Sequence, residues 1–338
     1  MKTLKKILSA ALGALLALSL SIPALAAESL GSTIAVPISA PVEGQTPVPA
    51  NVQASGVVTI LEDGKLHLKN PNEQAGLPEI ILDISKAVIL DAASGQPKTA
   101  EDIKDGEYIY AWANPIMALS MPPQAGAQLV ICSLPQDFAA PSFHQVVEVL
   151  KRDESAVTVL TDKNETITID SDCALSPYLT KNIVTTGNII PGARFVLWSA
   201  NVAEDGEIPV YKPYKAVVLS YAFKSWLEID EDGAFLGDEA LDLMGGEVYT
   251  DADGALMLPL RPLCEALGWE IEWDGETRMV TASNGDSSFC FTIGEKEIVV
   301  EGDMVMHLSA QPQLKGGRTH ISVADAAWLL NIYYPQYQ

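Results

Sequence analysis

A chain of 338 residues with 44 Asp and Glu against 21 Lys and Arg carries a net charge of −23. Such a surface repels phosphate backbones, which argues against a nucleic-acid partner and against capture of anionic wall polymers by charge alone; solubility outside the cell is the plainer use of the acid. Four cysteines are too few to staple a chain of this length into a disulfide scaffold.

Met1 to Ala26 has the three parts of a secretory signal: Lys2, Lys5 and Lys6, an apolar run from Ile7 to Leu20, and the small-residue site Ala24-Leu25-Ala26. Cleavage there would leave 18 basic against 44 acidic side chains, a net −26. The apolar run is short for a spanning helix, and no later stretch is long enough, so no transmembrane anchor is expected after cleavage. Residues 27–51 hold Pro37, Pro41, Pro47 and Pro49 among small residues and read as an extended linker.

From Val52 to Tyr221 the chain is written twice, with a period of 86 to 89 residues. Val57-Val-Thr-Ile-Leu61 answers to Val146-Val-Glu-Val-Leu150, and Ile80 to Asp83 answers to Ile167 to Asp170. The run Ile103 to Trp112 answers to Ile189 to Trp198, and Gln128 to Ser133 answers to Lys215 to Ser220. Each copy, 52–140 and 141–224, holds about five short β-type runs between Gly, Asn, Asp and Pro. That pattern predicts a small antiparallel barrel or sandwich, and its order resembles secreted repeat domains with an OB-like barrel. Trp112 and Trp198 read as matched core or barrel-rim residues, with sugar-stacking platforms as the alternative.

Ala222 to Gly246 reads as an acidic hinge into a last domain, 225–338, which holds 21 acids and 5 Lys or Arg from Trp226 onward. Within it, Leu256 to Trp273 reads as strand, helix and strand. Leu260, Leu263, Cys264 and Leu267 share a helical face, and Gly268 stands where a left-handed C-cap belongs. Trp269, Ile271 and Trp273 then alternate with Glu270 and Glu272. An offset of 63 lays Leu258 to Gly268 onto Ile321 to Asn331, which predicts helices at 262–267 and 323–330. Strands are expected at 279–283, 288–293, 296–300 and 304–308.

The run Met257-Leu-Pro-Leu-Arg-Pro-Leu-Cys-Glu-Ala-Leu-Gly-Trp-Glu-Ile-Glu-Trp-Asp-Gly-Glu-Thr277 resembles the copper amine oxidase N-terminal domain-like, or stalk, family of secreted and surface bacterial proteins. Val280, Phe291 to Gly294 and Gly316 to Thr319 extend the likeness. The resemblance implies a small α+β domain and no oxidase activity of its own. The second copy departs from the pattern: Ser322 stands for the usual Pro, Ala324 for the usual Arg and Trp328 for the usual acid. Arg261 and Glu265, four apart, can pair; the second copy cannot make that pair.

An amine oxidase needs clustered copper-binding imidazoles and a cofactor tyrosine after an Asn; no tyrosine here follows an Asn, and His67, His144, His307 and His320 are scattered. Met304, Met306 and His307 carry soft-metal ligand types, but strand period puts the methionines on one face and the imidazole on the other, as for a buried Met pair. Asp251-Ala-Asp-Gly254 resembles the start of a calcium loop, yet its twelfth position is Pro262 where a bidentate Glu is required; a turn is the reading, and likewise for Asp230 to Gly233. No Gly-x-Ser-x-Gly elbow, Cys–His arrangement or zinc-type His-Glu-x-x-His is present. Cys132, Cys173, Cys264 and Cys290 read as buried thiols, although export permits a bridge between Cys264 and Cys290.

These readings converge on a mainly β protein: two repeated antiparallel β-barrel or OB-like units followed by a small α+β stalk-type domain. The function they predict is that of an exported, non-enzymatic module binding or assembling with a cell-envelope component or another surface protein. No catalytic, metal or cofactor site is assigned, and surface attachment is expected to be noncovalent. The alternative is an extracellular protein that binds cations through its acidic last domain, or glycans through Trp112, Trp198, Trp269 and Trp273.

Overall fold

The computed structural model describes residues 50–135, 138, 140–179, 183–202, 211–285 and 287–335. The leader read in 1–26 and the linker up to residue 49 lie outside the described residues.

Among the described residues each repeat forms six strands rather than about five. The first holds β1 (Val52–Ile60), β2 (Leu66–Lys69), β3 (Glu79–Asp83), β4 (Val88–Asp91), β5 (Tyr108–Ala113) and β6 (Gln124–Cys132). The second holds β7 (Ser142–Arg152), β8 (Ala156–Thr161), β9 (Thr166–Asp170), β10 (Ala174–Pro177), β11 (Arg194–Asn201) and β12 (Tyr211–Val218). The sheet orders β3-β2-β1-β5-β6-β4 and β9-β8-β7-β11-β12-β10 are the same order twice. The strands β4 and β10 lie parallel to the last strand of each unit, with Val88 opposite Leu129 and Ala174 opposite Lys215.

The shared register reaches single residues. Trp112 and Trp198 sit opposite Leu129 and Lys215, and a bulge follows each tryptophan. Gly106 and Gly192 turn at φ of 82° and 80°, a region open to glycine, and donate their N–H groups to Val58 and Val146. Val146 therefore matches Val58, not Val57. Bulges in the pairing of β7 with β8 shift the alignment by one residue, which a sequence offset cannot register.

The two copies differ in closure. In the first, β3 also pairs with β6, Ile81 opposite Gln124, and the sheet closes into a five-stranded barrel with OB-type connectivity once β4 is set aside. The second, in which β9 and β12 do not pair among the described residues, is a half-barrel. A physical difference lies where the strands cross. Gly56, opposite Ile109 on β5, brings β1 so near β2 that an added Cβ would stand 2.6 Å from the Lys69 carbonyl. His144, opposite Phe195 on β11, holds the same place in the second copy and is buried there.

The units meet on a shared apolar layer. Leu90, Trp112, Leu129 and Ile131 of the first pack against Phe143, Val196, Trp198 and Val217 of the second. Trp198 donates its indole N–H to the Ala92 carbonyl at 2.8 Å across this junction, while Trp112 meets Phe143 edge to face at 6.0 Å.

The last part begins with β13 (Ser225–Asp230), β14 (Gly233–Leu236) and β15 (Glu239–Ala240). The acidic hinge is thus a hairpin: Leu227 is buried in the core and Ile229 packs on it, while Glu228 and Asp230 face out, the period-2 pattern the charge had masked. Then follow β16 (Tyr249–Thr250), β17 (Leu256–Pro259), α1 (Leu260–Ala266), β18 (Glu270–Asp274), β19 (Met279–Ser283), β20 (Ser288–Thr292), β21 (Glu297–Val300) and β22 (Met304–His307). The part ends with β23 (Gln313–Lys315), β24 (Arg318–Ser322), α2 (Val323–Leu329) and β25 (Ile332–Tyr333). Both helices stand where the offset of 63 predicted. The first starts two residues earlier than expected, because Pro262 in a first turn forfeits no helical hydrogen bond.

That offset is a local two-fold axis. Leu258 and Ile321 face each other across β17 and β24, with Met257 opposite Ser322 and Pro259 opposite His320, a register that maps onto itself when the halves are exchanged. Gly268 and Asn331 end the two helices at positive φ, 74° and 54°. Ser322, in place of proline, caps α2 by accepting the Asp325 N–H at 3.0 Å. The Asp325 carboxylate in turn accepts from the Ser322 hydroxyl at 2.6 Å and from the N–H and hydroxyl of Ser309. Asp325→Ala should cost roughly 1.5–3 kcal/mol, because half-buried donors at Ser309 and the buried Ser322 hydroxyl lose a charged acceptor. Urea denaturation checks this, and a loss under about 0.5 kcal/mol, the usual scatter of surface changes, would refute the anchoring role.

Candidate functional site

Three of the four tryptophans weighed as binding platforms have no open face. Trp112, Trp198 and Trp269 are 1%, 2% and 5% exposed, the first two at the junction between the repeats and the third against Phe289 in the last core. Trp273 alone, on β18, keeps 41% of its surface. A glycan site built on the four indoles therefore does not assemble.

The remaining candidates disperse in the same way. His67 bonds Glu79 at 2.7 Å on the barrel wall, His144 is buried in the half-barrel, His307 is exposed on β22, and His320 is buried with Nδ1 3.0 Å from the Arg318 carbonyl. The expected buried Met pair is only half formed: Met306 packs on the core, whereas Met304 is 53% exposed because the far end of edge strand β22 runs past it. Asp251 accepts the N–H groups of Asp253 and Ala255, and Asp230 those of Asp232 and Gly233, the geometry of side-chain-stabilised turns. The four thiols are unpaired. Burial pushes Cys264 up to about 12 and Cys173 up to about 11, so neither is a nucleophile near neutral pH.

What the fold does assemble is a groove of about 380 Å³ beside α1. Trp273, Ile271 and Leu314 give it an apolar wall, and Arg261 and Arg318 bring two guanidinium groups. Arg261 pairs with Glu265 at 3.2 Å on the helix surface, as its spacing predicted. Arg318 is held differently: Nε donates to the Met244 carbonyl at 2.9 Å, Nη2 to the same oxygen, and Nη1 to the Gly316 carbonyl at 3.1 Å. Among the described residues no carboxylate stands within ion-pair distance of it. Neutral carbonyls fix the fork in place and leave its charge uncompensated, in a domain with few cations. The Met244 carbonyl is aimed by a strained turn, with Met244 at φ 53° and Gly245 at 74°, and by Gly246, where a Cβ would stand 2.5 Å from Pro259.

Among the described residues Glu272 and Thr319 are the groove's remaining polar side chains, and no Ser, Cys or His lines it. The arrangement is suited to holding an anion next to an apolar body rather than to moving protons. Sequence reading missed Met244, Leu314 and Arg318 as site members, since they come from three separate strands and turns.

A second groove, of about 330 Å³, lies between the half-barrel and α2. Ala324 and Trp328 line it, and they occupy on α2 the places of Arg261 and Glu265 on α1. The same helical face is ionic in one copy and apolar in the other.

A family model described as copper amine oxidase N-terminal domain matches residues 243–331. The match opens at the turn that holds Arg318 and closes on the Asn331 cap, and the domain it describes is non-catalytic. No curated protein matches the chain, and no solved structure does.

Proposed function

We propose, from a C-terminal part similar to a non-catalytic domain, that the protein is an exported binding or assembly module held noncovalently on the cell envelope. The observation that carries this reading is Arg318, fixed by backbone carbonyls without an acidic partner among the described residues, in one groove with the exposed Trp273. Such a site takes a partner that presents a carboxylate or similar anion next to an apolar group. The leader-like first residues support export, and among the described residues no helix is long and apolar enough to cross a membrane.

Fractionation of producing cells into medium, envelope and membrane, with an immunoblot, tests it. The chain should sit in the envelope and come off with salt, and Trp273→Ala should weaken retention about tenfold, the loss of one interface anchor. A chain found wholly in the medium, or retention indifferent to both salt and Trp273, would refute it.

A further inference from the structure

No Asp, Glu, Lys or Arg occurs between Glu107 and Asp137, although charged residues are 19% of the chain. Most of that run is the β5 and β6 hairpin of the closed barrel, but its tip is not buried. Ile116, Leu119 and Met121 are 85%, 107% and 101% exposed. The tip is braced by its own hydrogen bonds, Ala118 N–H to the Gln124 carbonyl at 2.8 Å, Asn114 N–H to the Gly126 carbonyl at 2.9 Å, and the Ser120 hydroxyl to the Pro122 carbonyl at 2.7 Å. It is a preorganised apolar prong, the kind of feature that marks an interaction site.

The second groove lies at its foot, since Pro115 belongs to both. Val147, Phe223, Ala327, Trp328 and Tyr334 give that groove apolar walls, and Asp162 is its only charged lining residue among those described, already bonded by the Gln145 and Ala50 N–H groups. An uncharged convex feature thus adjoins a nearly uncharged concave one.

We infer that the protein pairs with a second copy of itself, the prong of each seated in the second groove of the other. A two-fold pair needs one contiguous patch that is complementary to itself, and prong plus groove supply it. Charge narrows the choice of occupant. Two copies at −23 each repel over most of their surface, and this patch lets them meet without opposing carboxylates. A bilayer is the poorer fit, because loops that enter lipid are flanked by Lys, Arg and interfacial aromatics, and the tip has neither cation nor ring. The pairing does not depend on where the protein resides.

Sedimentation equilibrium of the full chain over about 1 to 100 µM tests it. A concentration-dependent dimer is expected, weakened at least tenfold by Leu119→Asp and equally by Trp328→Glu. Both side chains are exposed, so melting temperatures should stay put. Mixing the two variants should restore part of the association, because a heterodimer keeps one intact prong and groove. A chain monomeric throughout, a groove variant that dimerises normally, or a mixture no tighter than its components would overturn the proposal. So would a monomer that co-sediments with phosphatidylcholine vesicles through Leu119, which would assign the prong to lipid.

Discussion

Trp198→Ala should lower the unfolding free energy by roughly 3–5 kcal/mol, the range for a large buried aromatic, out of a total near 5–15 kcal/mol for a typical domain. Trp198 is 2% exposed and packs in the layer shared by both repeats, with the Lys215 ammonium 4.1 Å from its ring centroid. Its loss empties a cavity at the junction and strips the Ala92 carbonyl of its 2.8 Å hydrogen bond. The matched tryptophan provides the control. Trp112 is equally buried but its indole N–H has no partner among the described residues, so Trp112→Phe should be milder than Trp198→Phe, which forfeits a bond of about 1 kcal/mol. Urea denaturation of the three variants decides this; equal losses for both Phe changes would show that the Ala92 bond carries no weight.

The second large effect is acid sensitivity seated at His144. Burial, with a smaller push from Lys163, drives its pKa down from 6.5 to about 3. Glu165 stands 3.5 Å from Nδ1, but it is 56% exposed and does not offset the burial. Between those two values the unfolded chain takes up a proton that the native one refuses, so stability falls as pH drops below 6.5. The gap in unfolding free energy between the native chain and His144→Leu should close by about 2 kcal/mol from pH 8 to pH 5. Comparing the two chains cancels the carboxylates. Parallel stability curves would mean that His144 takes up its proton as readily in the fold as in solvent.

The repeats were legible because strand runs, turn glycines and tryptophans recur at nearly fixed spacing, and the two-fold of the last part because Gly268 and Asn331 end matching helices. Closure was not legible. Whether a sheet joins into a barrel depends on strands far apart in sequence meeting, as β3 meets β6 with Ile81 opposite Gln124 in the first copy, and no local pattern records such a pairing. The hinge was misread because acids on the exposed positions of a two-sided strand resemble a solvated linker when counted together. The groove beside α1 escaped for a similar reason, since Met244, Trp273 and Arg318 converge only after folding. The prong left a plain signal, the long gap in charge after Glu107, which is informative only against so acidic a background.

The two-fold in the last part also bears on how such a chain can change. Both halves contribute the same kind of strand and capped helix to one core, so the outward face of either helix is free to drift while the buried faces stay fixed. Positions 261 and 265 on one side, and 324 and 328 on the other, are therefore independent dials. A library varied at one pair should alter one recognition surface and leave the opposite one, and the scaffold between them, as they were.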